Sequence, residues 1–138
     1  MGTRSLTVFN DDDGAEIVVM YQQYDGYPTG VGAELKELLS GKKIVNGFGT
    51  DDDGKAFNGG SCLAASVVAA LKSGIGNVYL YPAGTRNTGE EFIYTITPSN
   101  PIGIKVVVPR ELDDGAVLYN GPVDDFDPAA TETLTSYA

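Results

Sequence analysis

The sequence predicts a single α+β domain: an antiparallel sheet of about six strands with two helices packed on one of its faces. Runs of β-branched and aromatic residues lie near both ends of the 138-residue chain, which is typical of strands. Between them, apolar residues recur at helical spacing at about 30–40 and 61–73. The element order is therefore β-β-α-α-β-β-β-β, and this pattern lacks the alternating βα units of a parallel sheet.

The first two strands are predicted at 6–9 and 17–21, joined by a hairpin turn. Residues 10–14 read Asn-Asp-Asp-Asp-Gly. These residue types favour tight turns because Asp and Asn bond to nearby backbone and glycine accepts a positive φ. The run at 17–21 is apolar at consecutive positions, so we expect this strand to be covered on both faces or to lie centrally in the sheet.

Two helices follow. The first carries a single apolar stripe and ends at Gly41, before two lysines that suit the negative end of the helix dipole. Its stripe consists of Val31, Leu35, Leu38 and Leu39. The second begins at Ser61, a good N-cap residue, and is apolar nearly all round. We therefore expect it to be the buried central helix, with alanines that allow close approach to the sheet.

The C-terminal half is rich in strand-forming residues. Further strands are predicted at 78–81, 92–96, 104–108 and 117–119. From Pro128 onward, Ala, Thr and Ser dominate and large apolar residues are few. We therefore predict one domain over residues 1–126 and a loosely ordered tail over 127–138.

The charge of the chain restricts its partners. It has 19 acidic and 9 basic residues, which gives a formal net charge of −10 and a pI near 4.2. Direct binding to nucleic acid or to an anionic membrane is disfavoured, because such binding needs Lys and Arg to neutralise phosphates. An acidic surface favours solubility and cationic partners, and mimicry of nucleic acid is the more specific alternative.

Composition also suggests a compartment. No apolar run approaches the roughly 20 residues that span a bilayer, so we expect no membrane segment. Cys62 is the only cysteine, which excludes an intrachain disulfide. We expect a reducing cytoplasm.

Catalytic chemistry is restricted by the absence of histidine from the sequence. Serine and cysteine catalysis in their usual forms and imidazole metal ligation are thereby excluded. Cys62 lies near a helix start, where a thiol can be reactive, but a small residue packed on an apolar helix is the simpler interpretation. The Asp-rich runs fail the calcium-loop spacing, because Gly49 or Phe9 would stand at the first ligand position. We predict no catalytic residue, metal or cofactor.

A glycine-rich segment before the second helix is the best candidate ligand site in the sequence. Asn58, Gly59, Gly60 and Ser61 lead into the helix, and backbone N–H groups at a helix start can hold an anion. No complete phosphate-loop motif is present, so ordinary helix capping is the alternative. Two further residues could contribute to such a site: Arg4 and Asn46. For Arg4 the alternative is a structural salt bridge to Asp25.

Tyrosines provide a candidate interaction surface. We single out Tyr24 and Tyr27, because tyrosine suits protein contacts that are part apolar and part polar. Half-buried tyrosines on a sheet are the structural alternative.

Several segments together resemble a known family. They are the opening 2–7 (Gly-Thr-Arg-Ser-Leu-Thr), the turn 25–28 (Asp-Gly-Tyr-Pro), the segments 45–47 and 58–59, and the helix segment 62–65. Over about residues 2–97 the chain is similar to an uncharacterised family of short phage, bacterial and marine environmental proteins. The resemblance implies a phage or environmental source and one compact domain. For a viral chain, the expected cytoplasm is that of the host cell. It implies no activity and no catalytic residue.

Two functions remain open. The first is a non-enzymatic accessory protein that binds a protein partner or associates with itself. The second is a small protein that binds or sequesters an anionic ligand at the glycine-rich segment before the second helix. Enzymatic activity ranks third, because it would have to rely on Asp, Glu, Tyr, Lys or Cys62.

Overall fold

The computed structural model describes residues 2–45, 56–110 and 115–137, and the chain has an α+β fold. The strands are β1 (Ser5–Asn10), β2 (Glu16–Gln22), β3 (Lys43–Val45), β4 (Ala56–Asn58), β5 (Val78–Pro82), β6 (Phe92–Thr97), β7 (Gly103–Val108) and β8 (Ala116–Pro122). The helices are α1 (Ala33–Leu39), α2 (Gly59–Leu71) and α3 (Pro128–Thr133). A π-helical turn (Pro28–Gly32) leads into α1, and 3-10 turns cover Val123–Asp125 and Leu134–Tyr137.

Six strands form one sheet in the order β5-β2-β1-β6-β7-β8, and β3 and β4 form a small parallel pair. The predicted six-stranded sheet and both predicted helices are confirmed. The prediction of a wholly antiparallel sheet is wrong at one pairing, because β1 and β6 run parallel, with Leu6 opposite Ile93. The physical reason is the route of residues 83–91. They carry the chain from β5 at the edge across β2 and β1 to β6, so β5, β1 and β6 share one direction.

The main core lies between one face of this sheet and the helices. Its buried members include Phe9, Met20 and Tyr94 from the sheet, Leu35 from α1 and Leu63 from α2. The π-helical turn needs a glycine at position 30, since a Cβ there would lie 2.1 Å from the Asp25 carbonyl oxygen. That close approach lets the Asp25 carbonyl accept a hydrogen bond from Val31 N at 2.8 Å.

The other face of the sheet is also buried, without a helix over it. Leu6, Val8 and Val19 form a second core with Tyr21 and Ile93 packed against it. The 83–91 segment crosses this side, because Gly89 lies against the Arg4 side chain, which shares a face with Leu6 and Val8. The expectation that the second strand is covered on both faces is therefore confirmed, since neither Val19 nor Met20 is exposed.

The central helix α2 is buried on one side only. Leu63, Ala64 and Val67 face the core, whereas Ala65 and Ala69 are exposed. The expectation of burial all round is wrong on that outer side. Alanine has the highest helix propensity and little apolar surface, so its exposure costs little.

The segment predicted as a loosely ordered tail, 127–138, contains α3. Asp127 caps this helix by accepting a hydrogen bond from Ala130 N at 3.1 Å, and Thr131 is buried. Glu132 accepts hydrogen bonds from Thr29 N at 2.9 Å and from Thr29 Oγ1 at 2.7 Å. These bonds connect α3 to the π-helical turn.

Candidate functional site

The ligand residues suggested by the sequence do not form one site. Arg4 precedes β1, whereas α2 begins beside the far end of β1, where a Cβ on Gly60 would lie 2.7 Å from the Asn10 carbonyl oxygen. The six residues of β1 separate the two places by roughly 20 Å. Asn46 lies outside the described residues.

The start of α2 already holds a carboxylate of the chain itself. Asp12 Oδ1 accepts a hydrogen bond from Gly60 N at 3.0 Å, and Asp12 Oδ2 lies 3.1 Å from where a Cβ of Gly59 would stand. The helix begins at Gly59, so Ser61 lies in the first turn and is not the N-cap. Asn58 occupies the N-cap position without a side-chain capping bond. An anion at this helix start would have to displace Asp12.

Arg4 and Tyr24 lie together in an open groove of about 490 Å³. Its lining consists of Gly2, Thr3, Arg4, Gln23, Tyr24, Gly89 and Glu91. Within the described part of the chain, the Arg4 guanidinium has no hydrogen-bond or ion-pair partner. The alternative of a salt bridge to Asp25 is wrong. Asp25 Oδ1 instead accepts a hydrogen bond from the Tyr27 hydroxyl at 3.1 Å.

The two tyrosines predicted as an interaction surface have different surroundings. Tyr24 is 51% exposed, whereas Tyr27 is half-buried against the main core. Its hydrogen bond to Asp25 raises the pKa of Tyr27, because the neutral phenol is the donor to the carboxylate. Only Tyr24 is therefore well placed for contact with a partner.

A larger apolar surface lies elsewhere, on the outer side of α2 and on strand β5. We call it the β5–α2 face. It consists of the edge strand β5 with Tyr79, Leu80 and Tyr81 and, on the Leu80 side of that strand only, of Ser61, Ala65 and Ala69 of α2 and the groove between the two elements. The groove has a volume of about 390 Å³. Its lining consists of Ile17, Val18, Ser61, Ala64, Ala65, Val68, Ala69 and Leu80. None of these residues carries a charge, although the whole chain has a net charge of −10.

The β5 part of this face is exposed because β5 is an edge strand of the six-stranded sheet. Leu80 is 53% exposed on the side of the groove. Tyr79 and Tyr81 point to the opposite side, where the Tyr21 ring lies with its centroid 6.1 Å from that of Tyr79 and 5.9 Å from that of Tyr81. Lys72 Nζ lies 5.5 Å from the Tyr79 ring centroid, close enough for a cation–π contact.

The sequence contains a partial signal for this face. The run Val-Tyr-Leu-Tyr at 78–81 has no charged residue. Edge strands commonly carry charged residues, because these hinder pairing with the strand of another chain. Nothing local indicates that this strand rather than another lies at the edge, so sequence reasoning did not single it out.

The described residues provide neither a metal site nor a helix that could span a membrane. The three described ranges contain no group of three or more Cys, Asp or Glu side chains placed to bind a metal ion. No described helix is long and apolar enough to cross a membrane.

Comparison with known proteins finds no matching family model, no matching curated protein and no matching solved structure. The resemblance to a family of phage, bacterial and marine proteins therefore stays a prediction.

Proposed function

We propose that this chain is a non-enzymatic interaction protein that binds another protein chain through the β5–α2 face. The observation that carries the proposal is the concentration of exposed apolar side chains. Among the described residues, four of the seven exposed large hydrophobic side chains lie within 75–81. They are Ile75, Tyr79, Leu80 and Tyr81.

Burial of these side chains would be favourable at roughly 25 cal/mol for each Å² of apolar surface removed from water. Contiguous apolar patches on monomeric proteins often mark sites of contact, and tyrosine is enriched in such interfaces. The bound chain is a protein rather than a nucleic acid, because a net charge of −10 opposes phosphates. The absence of histidine from the sequence supports a binding role over catalysis.

The test introduces charge into the face without altering the core. Ala65→Glu combined with Ala69→Glu places two carboxylates on the exposed side of α2, at a cost of a few tenths of a kcal/mol in helix propensity. Ala129→Glu makes the same substitution on the exposed side of α3 and is the matched control. Binding is measured by affinity capture from an extract of the producing cells and by self-association of the purified chain.

We expect the wild type and Ala129→Glu to bind the same protein chain, and the double variant to lose it at least tenfold. The proposal is refuted if the double variant binds as the wild type does. It is also refuted if the wild type associates with no protein, itself included.

A second candidate function is binding of a small anionic ligand in the Arg4–Tyr24 groove. What favours it is that Arg4 has no ionic partner among the described residues and lies in a groove whose volume of about 490 Å³ falls within the usual range for ligand sites. Titration with inorganic phosphate or citrate, followed by the amide shifts around Arg4, tests it. Arg4→Gln should remove the response, and a saturable response that survives this substitution would contradict the assignment.

A further inference from the structure

We infer that the partner of the β5–α2 face is a second copy of this chain, whose β5 pairs with the first β5 in antiparallel fashion about Leu80. The inference rests on the proposed function and names the partner. It follows from the backbone of β5, from the side chains around it and from the distribution of charge.

The register of β5 on β2 determines which backbone groups point outward. In an antiparallel pair, residues alternate between those that bond the neighbouring strand and those that face away. Gln23 N donates to Asn77 O at 3.0 Å, which makes Gln23–Asn77 a bonded pair. Continuing the alternation along the register, Tyr79 and Tyr81 bond β2. The backbone groups of Val78, Leu80 and Pro82 therefore face away from the sheet.

Two of these three residues are already capped within the chain. Val78 N donates to Gly76 O at 2.7 Å, and Val78 O accepts a hydrogen bond from Lys72 Nζ at 2.9 Å. Pro82 has no N–H, and its carbonyl accepts hydrogen bonds from Thr85 N at 3.2 Å and Thr85 Oγ1 at 2.7 Å. The N–H and C=O of Leu80 have no partner among the described residues.

A strand edge whose backbone groups are unbonded at a single residue suits pairing of two copies about a two-fold axis. A long added strand needs several bonded residues in succession, and the caps at Val78 and Pro82 block both flanks. A two-fold axis at Leu80 needs only this residue, because its N–H donates to the Leu80 carbonyl of the second copy and its carbonyl accepts from the Leu80 N–H of that copy. Isologous contacts of this kind are the commonest in homo-oligomers.

The side chains of β5 are also compatible with a two-fold axis at Leu80. Antiparallel pairing about Leu80 places Tyr79 opposite Tyr81 of the second copy, so four tyrosines extend the ring cluster that already includes Tyr21. Aromatic cross-strand pairs stabilise such contacts. On the other side of the sheet, the two Leu80 side chains meet between the two alanine-lined grooves.

The distribution of charge also favours a second copy. A cationic partner would need carboxylates at the contact, yet the groove lining has none. Glu16, next to this lining, is paired with Arg86, whose Nη2 lies 3.0 Å from Glu16 Oε1. Two copies therefore meet without carboxylates in the groove lining, and with Lys72 of each copy bonded to its own Val78 carbonyl, while their net charges repel at longer range. Salt should strengthen the dimer, because the Debye length falls from about 30 Å at 0.01 M to about 8 Å at 0.15 M.

Sedimentation velocity of the full chain tests the inference, from about 1 µM to about 1 mM, the range of weak complexes. Leu80→Lys places a charge on the axis. Val117→Lys is the matched control, because Val117 is 54% exposed on β8, at the other edge of the sheet. Thermal unfolding checks that each variant is folded. We expect a dimer that tightens with salt, is weakened at least tenfold by Leu80→Lys and is unchanged by Val117→Lys.

Cross-linking tests the register. In a Cys62→Ser background, Leu80→Cys places two thiols on the axis, where Cα atoms of a bonded pair are about 5.5 Å apart, within the range that a disulfide spans. Tyr79→Cys faces position 81 of the second copy and not itself. Oxidation should cross-link Leu80→Cys at least tenfold faster than Tyr79→Cys.

The inference is overturned if the wild type stays monomeric over the whole range, or if its dimer is indifferent to Leu80→Lys. A different result is a wild type that stays monomeric, captures a different protein and loses it in the Ala65→Glu and Ala69→Glu variant. This result would overturn the inference that the partner is a second copy, but it would leave the proposed function intact. A wild type that binds neither itself nor any other protein would overturn both.

Discussion

The two edges of the six-stranded sheet are protected in different ways. At one edge, β8 is irregular and packed against the main core: its register on β7 shifts between Val106 and Val107, and the Tyr119 ring packs on Phe126 at 5.2 Å between centroids. At the other edge, β5 is regular over five residues, four of which are exposed. Irregularities of register are a common means of preventing edge-to-edge pairing. β5 has individual caps on its backbone instead, and the difference identifies Leu80 as the place where the sheet can be extended.

The largest effect should come from removing the core ring that packs on β8. Phe126 is fully buried, and Phe126→Ala should lower the free energy of unfolding by about 3–5 kcal/mol through lost burial and a cavity. Denaturant titration measures this loss. Val117→Ala, at an exposed position of β8, should cost less than about 0.5 kcal/mol. A loss below about 1 kcal/mol for Phe126→Ala would mean that Phe126 does not hold β8 against the core.

An intermediate effect should come from removing a cap on β5. Lys72→Met keeps the aliphatic stem but removes the hydrogen bonds from Lys72 Nζ to the carbonyls of Gly76 and Val78. Gly76 O still accepts from Val78 N, whereas Val78 O loses its cap. We expect a loss of about 1 kcal/mol in stability. We also expect self-association to rise, because Val78 O then becomes available to another strand.

Lys36→Met is the control for Lys72→Met. It removes the bonds from Lys36 Nζ to the carbonyls of Asp124 and Phe126, on the β8 side of the molecule. This variant should lose stability without a gain in association. Equal association of the two variants by sedimentation would contradict the distinction between the edges.

The smallest effect should come from removing the ion pair between Glu16 and Arg86, whose arginine lies in the segment 83–91 after β5. Glu16 accepts hydrogen bonds from Arg86 and from Gly84 N, and the Arg86 bond is the main cause that lowers the pKa of Glu16. A carboxyl whose pKa is lower in the folded chain stabilises the fold above its unfolded pKa, near 4.5, and loses that contribution as the pH falls through the folded value. Because the pair is partly exposed, the contribution is below about 1 kcal/mol.

Arg86→Gln tests this pairing. The variant should be slightly less stable than the wild type at pH 7, and the difference should shrink as the pH falls below about 4.5. Denaturant titrations at pH 7 and pH 3.5 measure it. A difference that is independent of pH would show that the ion pair does not anchor the 83–91 segment.

Much of the fold follows from local patterns in the sequence. The hairpin of β1 and β2 follows from the turn at 10–14 and its flanking β-formers, and α2 follows from its apolar run. The parallel pairing of β1 and β6 does not, because residues 83–91 carry no helical pattern and look like an ordinary turn. The exposed side of α2 was not predicted either. Alanine counts as apolar in a sequence pattern, but its exposure costs little free energy because its apolar surface is small.

The candidate sites were harder to predict because each depends on contacts between distant residues. The Asn58–Ser61 segment looks like an anion site until Asp12, 48 residues away from Gly60, is seen to occupy it. Arg4, singled out as a ligand residue, lies in a groove formed with Tyr24 and Gly89 rather than with Gly60. The opening at Leu80 depends on the register with β2 and on the caps from Lys72 and Thr85, which no local pattern shows.

Amide exchange at Leu80 tests the central claim most directly. In dilute solution its N–H should exchange quickly, while those of Tyr79 and Tyr81, bonded to β2, exchange slowly. From about 10 µM to about 1 mM, the exchange at Leu80 should slow at least tenfold as the second copy covers it. An exchange rate at Leu80 that stays constant over this range, or is slow already in dilute solution, would contradict the claim that this edge opens at Leu80 and closes against another copy.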